Sequence, residues 1–455
     1  RARKKATPQK KMFFLFLLLG SLASSSCLEQ QATAPRILRD EKKEVSHSHV
    51  DLCPVGAESS VDVSLNGVTE AIPLASLPFV PCSVTQGKWK TGPAMPSPHQ
   101  AEHQGIALSD GKIYSVGGFK GSGHTIRRYD PAEGEWDDDE AVAKLPETRH
   151  HLMVTAFPDA DKSAAEMPDS MLILGGYSGE WGDRQPETDV WKYSSKTNEI
   201  QSVAPMPSPR AAGAAVTHGG LVYVIGGVEE TFGNDDNLEL RRPSMMVYDP
   251  KTDTWEEREG PKKHREHVAA AVMDEVIYVA GGRWGGSIDE TDSVEIYDPE
   301  NGEWSAGPSM NYARAGFALI NVNRDYLMAG GGEKNNRDTL KNIEFLPSSH
   351  LCAKRKAKAQ QTLKKLNKMP SIDVDGDSPV AVSLSAMAEA DCNQEEGEWI
   401  MGPDMPQQIH GAGIALMNNV VYLVGGARAA WSSKMGGDLQ MYTLGMETDI
   451  SDVNN

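Results

Sequence analysis

The chain is poor in the features that would assign it most quickly. It has five Cys among 455 residues, and no two of them form CxxC, so neither a zinc site nor a dithiol redox motif has support. Its longest apolar run, residues 12–19, falls short of the about 20 residues a bilayer span needs. It also lacks a basic body. The formal charge is −19, and six of its 45 Lys and Arg residues sit in the first eleven positions. The remainder of the chain is therefore more acidic than the whole. General nucleic-acid binding, which rests on phosphate neutralisation, is not expected. No Asn-x-Ser/Thr sequon occurs, and no Ser-His-Asp set can be assigned from spacing.

The chain does have a leader-like start and many turns. The opening "RARKKATPQKKMFFLFLLLGSLASSSC" runs basic, then apolar, then small, which is the order of a secretory signal peptide. Met12 is a candidate start, with 1–11 upstream of it and cleavage after Ser25 or Ser26. An uncleaved signal anchor is the alternative. A secretory setting would suit the four further cysteines, Cys53, Cys82, Cys352 and Cys392. They form two sequence-local pairs, although three connectivities are open. Residues 27–84 are polar and read as a stalk and edge segment. Hydrophobic residues make up 39%, and the 43 Gly and 27 Pro fit many turns between short strands.

One unit recurs: an apolar run closed by two glycines. It appears as "KIYSVGG" to Gly118, "MLILGG" to Gly176, "LVYVIGG" to Gly227, "VIYVAGG" to Gly282, "DYLMAGG" to Gly331 and "VVYLVGG" to Gly426. Tyr129, Tyr193, Tyr248, Tyr297, Phe345 and Tyr442 come after these runs. Seven residues past the first four stand Trp136, Ile200, Trp255 and Trp304. Another apolar stretch precedes each run. Four short strands per unit are predicted, with Asp-Pro turns such as Asp298-Pro299 between the third and fourth. One such sheet cannot bury both faces. Six arranged radially can.

The diglycine, Tyr and Trp at these offsets resemble the kelch family over about 340 residues. The resemblance implies an all-β, six-bladed β-propeller over residues 85–446, with a tail at 447–455. The last unit reaches Tyr442 without a Trp, and Trp89 precedes any diglycine, so the strand around Trp89 is expected to close the ring. The long gap after "NIEFL" reads as an insertion, 347–397, between strands three and four of blade five. It contains a basic run and "IDVDGDSP", the start of a calcium-type loop whose twelfth position is Leu384 rather than an acid.

The Gly, Tyr and Trp set is scaffold, so function is sought at variable positions. Arg149, Arg210, Arg265 and Arg314 align before the innermost strands, with Ala101 and Ile409 in the other blades. His103, His151 and His267 stand two residues further on. In one kelch-type protein, an oxidative-stress sensor, arginines at this motif position grip an acidic peptide. The resemblance thus implies an anion site at the channel mouth, while bonding to a neighbouring blade is the plain alternative. The loops after the diglycines carry Trp181, Trp284 and Trp431 with Arg184, Arg283, Arg337 and Arg428, a composition suited to binding hot spots. A copper site of the galactose-oxidase type cannot form in the propeller body, because no cysteine lies between Trp89 and Leu351. No cofactor and no metal set are implied. Without a BTB segment, a ubiquitin-ligase adaptor role is not expected. The reading is a secreted or lumenal module that binds a protein segment, possibly acidic, or a glycan. The alternative is a carbohydrate-active enzyme such as a sialic-acid mutarotase-like propeller, which would show carboxylates and histidines converging in a pocket.

Overall fold

The six diglycine units fold as six antiparallel sheets, in a computed structural model that describes residues 60–65, 68–73, 87–96, 104–119, 123–137, 141–157, 168–179, 183–230, 245–283, 290–334, 338–348, 357, 360, 397–429 and 438–444. The innermost strands are Gln104–Ala107, Met153–Ala156, Ala214–His218, Ala269–Met273, Ala318–Val322 and Gly413–Met417. Each neighbours the next, and the last returns to the first. The chain is a six-bladed β-propeller.

Within a blade the second strand is the most deeply buried. Leu221–Ile225, Val276–Ala280 and Val420–Val424 are covered on both faces by adjacent blades, which is why they read as unbroken apolar runs. The core is accordingly not one mass. Six apolar clusters each fill one interface between neighbouring blades.

The glycines make the turn between blades possible. In the fourth unit Gly281 and Gly282 have φ of 60° and 86°, a left-handed region that a side chain disfavours. A Cβ on Gly281 would lie 2.6 Å from the carbonyl oxygen of Arg314 in the next blade. The adjoining amide, Gly282 N–H, donates to that same carbonyl at 2.9 Å. The contact repeats from Gly118 to Arg149, Gly176 to Arg210, Gly227 to Arg265 and Gly332 to Ile409.

The tryptophans tie five of the six blades to the one before, blade two having Ile200 at that position. Tyr297 and Trp304 are paired in register, with ring centroids 5.0 Å apart. The Trp304 indole N–H donates to the Glu259 carbonyl at 3.0 Å. Trp136, Trp255 and Trp399 reach back in the same way to Pro93, Ala204 and Pro308. Trp89 completes the set. Strand Lys88–Thr91 pairs with Leu439–Thr443, Trp89 lies opposite Tyr442, and its indole N–H donates to Pro403 at 2.9 Å. The ring is therefore closed non-covalently by the N-terminal strand.

Blade five departs from the expected frame by one residue. "MAGGG" supplies three glycines, and the left-handed pair is Gly331–Gly332 rather than Gly330–Gly331. Gly330 still belongs to the strand and pairs with Ile343, as Ala280 pairs with Val294. Leu346, not Phe345, consequently occupies the tyrosine position and packs beside Trp399 against blade four. In blades two and three the tyrosine O–H bonds the residue that closes the hairpin, Asn198 or Asp253. In blade five the stretch between the third and fourth strands lies almost wholly outside the described residues.

An N-terminal hairpin, Ser60–Leu65 with Val68–Pro73, lies within the segment expected to form an edge. The leader, Cys27, Cys53, Cys82, Cys352, Cys392 and nearly all of 349–396 lie outside the described residues. Among the described residues no helix is long and apolar enough to cross a membrane.

Candidate functional site

A belt of backbone hydrogen bonds surrounds one mouth of the channel. His151, Ala212, His267, Gly316 and Gly411 occupy equivalent positions ahead of five innermost strands, and each has φ between 53° and 57°. Four of the five amides donate to the preceding blade's belt carbonyl: Ala212 to His151, His267 to Ala212, Gly316 to His267 and Gly411 to Gly316. A non-glycine residue in this region costs about 1–2 kcal/mol, and the belt bonds offset that cost. The sixth position, His103, lies outside the described residues.

The expected ring of ligand-facing arginines does not form. Arg149, Arg210, Arg265 and Arg314 are among the largest fully buried side chains of the protein. Their guanidiniums serve the scaffold. Arg265 donates to the carbonyls of Gly281 and Ser293 and pairs with Glu295. Arg314 bonds the carbonyls of Gly331 and Asn342, and pairs with Glu344 at 2.6 Å. Arg210 bonds the Gly226 carbonyl and Glu229, and burial pulls its pKa down to about 10. Arg149 pairs with Glu147 and Asp189 and lies 5.1 Å from the centroid of Trp191. Each guanidinium holds the turn glycine carbonyl, the third strand or a nearby acid, and its burial keeps it from a ligand.

The chemistry at the mouth lies one residue further on. The residue after each arginine position forms a bridge with the residue after the diglycine: His150 with Tyr177, Ala211 with Val228, Glu266 with Arg283, Ala315 with Glu333 and His410 with Ala427. These pairs do not repeat in kind. Blades two, four, five and six contribute polar or aromatic groups, whereas blade three contributes only small apolar ones. Over that small sector His151 and His267 meet, with ring centroids 4.9 Å apart.

Two groupings result. On one side Phe119 stacks on His150 at 4.0 Å, His150 and His151 share a hydrogen bond between their Nδ1 atoms, and the Arg184 guanidinium lies 4.6 Å from the Tyr177 centroid. Burial, followed by the charge of Arg184, pulls His150 down to about 3, and burial pulls His151 well below the usual range. Both imidazoles are neutral at neutral pH. On the other side Arg283 bridges two buried carboxylates, donating to Glu266 Oε1 and Glu333 Oε1 at 2.5 Å each. His267 contacts the second oxygen of Glu266. Burial alone would raise Glu266, but His267 and Arg283 outweigh it and hold the carboxyl at about 2. Burial likewise opposes the charge on Arg283, and the two carboxylates overcome it and raise its pKa.

Of the residues singled out from sequence, His151, His267, Arg184 and Arg283 come together here. Arg428 stands apart, in a bidentate pair with Asp438 at 2.8 Å. Trp181, Trp284, Trp431 and Arg337 lie outside the described residues. Phe119, His150, Tyr177, Glu266, Glu333 and His410 were not singled out. Their signal was positional: each directly follows either a repeated glycine pair or the repeated arginine position. Among the described residues no group of three or more His, Cys, Asp or Glu could hold a metal ion.

Comparisons with known proteins agree with this architecture. Residues 161–346 match the KLHDC2/KLHL20/DRC7 Kelch-repeats domain, and residues 103–138 match the Kelch motif. Spermatocyte protein spe-26 of Caenorhabditis elegans is 30% identical over 163 residues, covering 35% of this chain and 27% of that protein. Kelch repeat and BTB domain-containing protein 12 of Danio rerio is 29% identical over 168 residues, covering 35% and 27%. Kelch-like protein terF of Aspergillus terreus is 27% identical over 314 residues and 65% of each chain. The matched part of the chain thus spans about a quarter of the first two relatives and about two thirds of the third. The solved structure of YjhT superposes with a TM-score of 0.54 at 17% identity, covering 76% of this chain and 95% of that one, a likeness of fold.

Proposed function

Because the chain belongs to the kelch-repeat family of β-propellers, we propose that it is a protein-interaction module that receives a segment of a partner at the channel mouth. One observation carries this reading. On a scaffold whose Gly, Arg and Trp contacts recur from blade to blade, the residues just after the glycines and the arginines are the ones that differ. They are bridged to one another at the same end of each described blade. Non-repeating chemistry on a repeating frame is what selection for a particular ligand leaves. The acidic ligand loses its support, because the four arginines are buried. A secretory setting remains part of the proposal and rests on the leader-like start. Its check is whether the chain expressed from Met12 is processed after Ser25 or Ser26.

The test is to pan a displayed library of random 12-residue peptides, alongside a glycan array, on the full chain and on a Phe119→Ala/Tyr177→Ala variant. Peptides that bind the wild type and lose binding to the variant support the reading. Glycan binding without peptide enrichment overturns it. A second reading, acid–base chemistry on a sugar, is favoured by the Glu266–His267 contact beside Glu333. Turnover of an arrayed glycan, lost in Glu266→Gln, would decide for it.

A further inference from the structure

The imidazoles at the mouth form one row across blades two and four. His150 and His151 join through their Nδ1 atoms at 2.6 Å, and the His151 ring meets His267 at 4.9 Å. Phe119 stacks on His150 and lies edge-on to His151, and Tyr177 packs against both. His150 and His151 are 4% and 6% exposed. This shape depends on the rings staying largely uncharged. A hydrogen bond between two Nδ1 atoms needs a proton on one and a lone pair on the other, so the accepting ring is neutral while the bond lasts.

The surrounding charges also oppose a proton. From their own blade the two rings face Arg149 and Arg184, and from blade four they face His267 and Arg283. Phe119, from blade one, brings no charge. Tyr177 is kept protonated by burial, which raises its pKa. Four acids of these walls are already engaged: Glu147 and Asp189 with Arg149, and Glu266 and Glu333 with Arg283. The Gly179 backbone favours a proton on His150, but burial and Arg184 outweigh it. The segment that carries the rings is strained as well. His151 has a φ of 53°, a conformation that persists only where surrounding bonds impose it. Among those bonds, Tyr177 N–H donates to the His150 carbonyl at 2.8 Å and Ala212 N–H to the His151 carbonyl at 2.9 Å.

We propose that mild acid opens this side of the mouth: His150 and His151 take up protons, leave the stack with Phe119 and Tyr177, and release a bound partner segment. This names the regulation of the proposed site and rests on the protein-binding reading. The sign follows from the neutral closed state. Above about pH 6.5, the value of an exposed imidazole, the closed mouth is fully favoured. Below it the open state gains by close to tenfold per pH unit for each ring it frees, and by close to a hundredfold per unit for the pair. The gain continues until the closed His150 itself titrates, at about 3.

The experiment follows hydrogen exchange of the full chain at pH 7, 6 and 5, with rates corrected for the intrinsic effect of pH. Protection of the Tyr177 and Ala212 amides is expected to fall steeply with acid. The Gly411 amide, bonded to the Gly316 carbonyl on the far side of the belt, is expected to stay level. His-free peptides enriched on the full chain at pH 7 from the random 12-residue library are then measured by calorimetry. Wild-type affinity should drop by about tenfold or more between pH 7 and 5. The ratio of the two affinities should move toward one in His150→Gln/His151→Asn, where Asn tolerates the left-handed backbone. Thermal unfolding confirms that the variant is folded. If it is not, each single variant should show a pH dependence between those of the wild type and a pH-independent site. Protection that falls equally at all three amides marks general loosening and overturns the inference. So does protection, or peptide affinity, that is the same at pH 7 and 5. Those results leave the protein-binding reading standing. If no peptide is enriched, both fall.

Discussion

Replacing Arg314 and Glu344 separately and together tests whether the buried arginines are structural. The pair is fully buried on both sides, at 2.6 Å. Blade six shows what replaces it. There the arginine position is Ile409, packed in an apolar cluster, and the carboxylate position is Gln440. A backbone N–H still serves the side chain: Glu344 accepts from Asn311 N–H, and Gln440 accepts from Gln407 N–H at 2.9 Å, one position further on because Pro406 has no N–H. The same backbone therefore accommodates a charged pair or an uncharged one; blades two and three have Trp191 and Met246 at the carboxylate position and supply the arginine with an acid from elsewhere, Asp189 or Glu229. Arg314→Ile alone strands a buried carboxylate, and Glu344→Gln alone strands a buried guanidinium. Each should cost about 3–5 kcal/mol. The double variant copies blade six and should cost far less than the sum, because it strands no charge. The coupling energy from a double-mutant cycle in guanidinium chloride should therefore be at least about 2–3 kcal/mol. Singles that each cost under about 1 kcal/mol, or a double that costs their sum, would refute the structural assignment and return these arginines to consideration as ligand groups.

Two further predictions concern the seam and acid stability. At the junction of blades six and one the innermost strands touch through Gly413 and Gly105, and a Cβ on Gly413 would overlap the Gly105 backbone nitrogen. Gly413→Ala should destabilise the closed ring by about 1–3 kcal/mol or more, read as an earlier denaturation midpoint. Gly413 has no left-handed φ, so its cost is crowding alone, and Gly111→Ala, at φ 78° with nothing within 4 Å, gives the cost of left-handed strain alone for comparison. His150 is neutral in the folded protein, with a pKa near 3, and its unfolded pKa is about 6.5. Its contribution is fully present above pH 6.5 and is lost as pH falls from 6.5 toward 3, by about 1.4 kcal/mol per pH unit. His151 acts in the same direction. His150→Gln should flatten the stability–pH slope in that window. An unchanged slope would mean that the imidazole is charged in the fold.

Much of the fold was legible because its contacts recur along the chain. Tyr297 meets Trp304, and Gly282 meets the next blade, through spacings that any unit reproduces, so local sequence carries the information. Trp89 was readable as the closing strand for the same reason: an outer-strand tryptophan was missing at one end and surplus at the other. The blade-five frame was less legible. Three consecutive glycines leave two phases open, and only pairing Gly330 with Ile343 selects between them.

What the sequence determined by itself was the repeat, the number of blades and the way the ring closes, because strand period and turn chemistry act over a few residues. What the tertiary structure decided was which groups remain free to act. An arginine in "MPSPRAAG" looks the same whether it faces solvent or the Gly226 carbonyl and Glu229, and only the folded blade brings those groups around it. The site arises likewise from Tyr177, Arg283 and Glu333, which share a place after the glycine pair but no residue type, and come together only because the ring brings the ends of separate strands to one mouth.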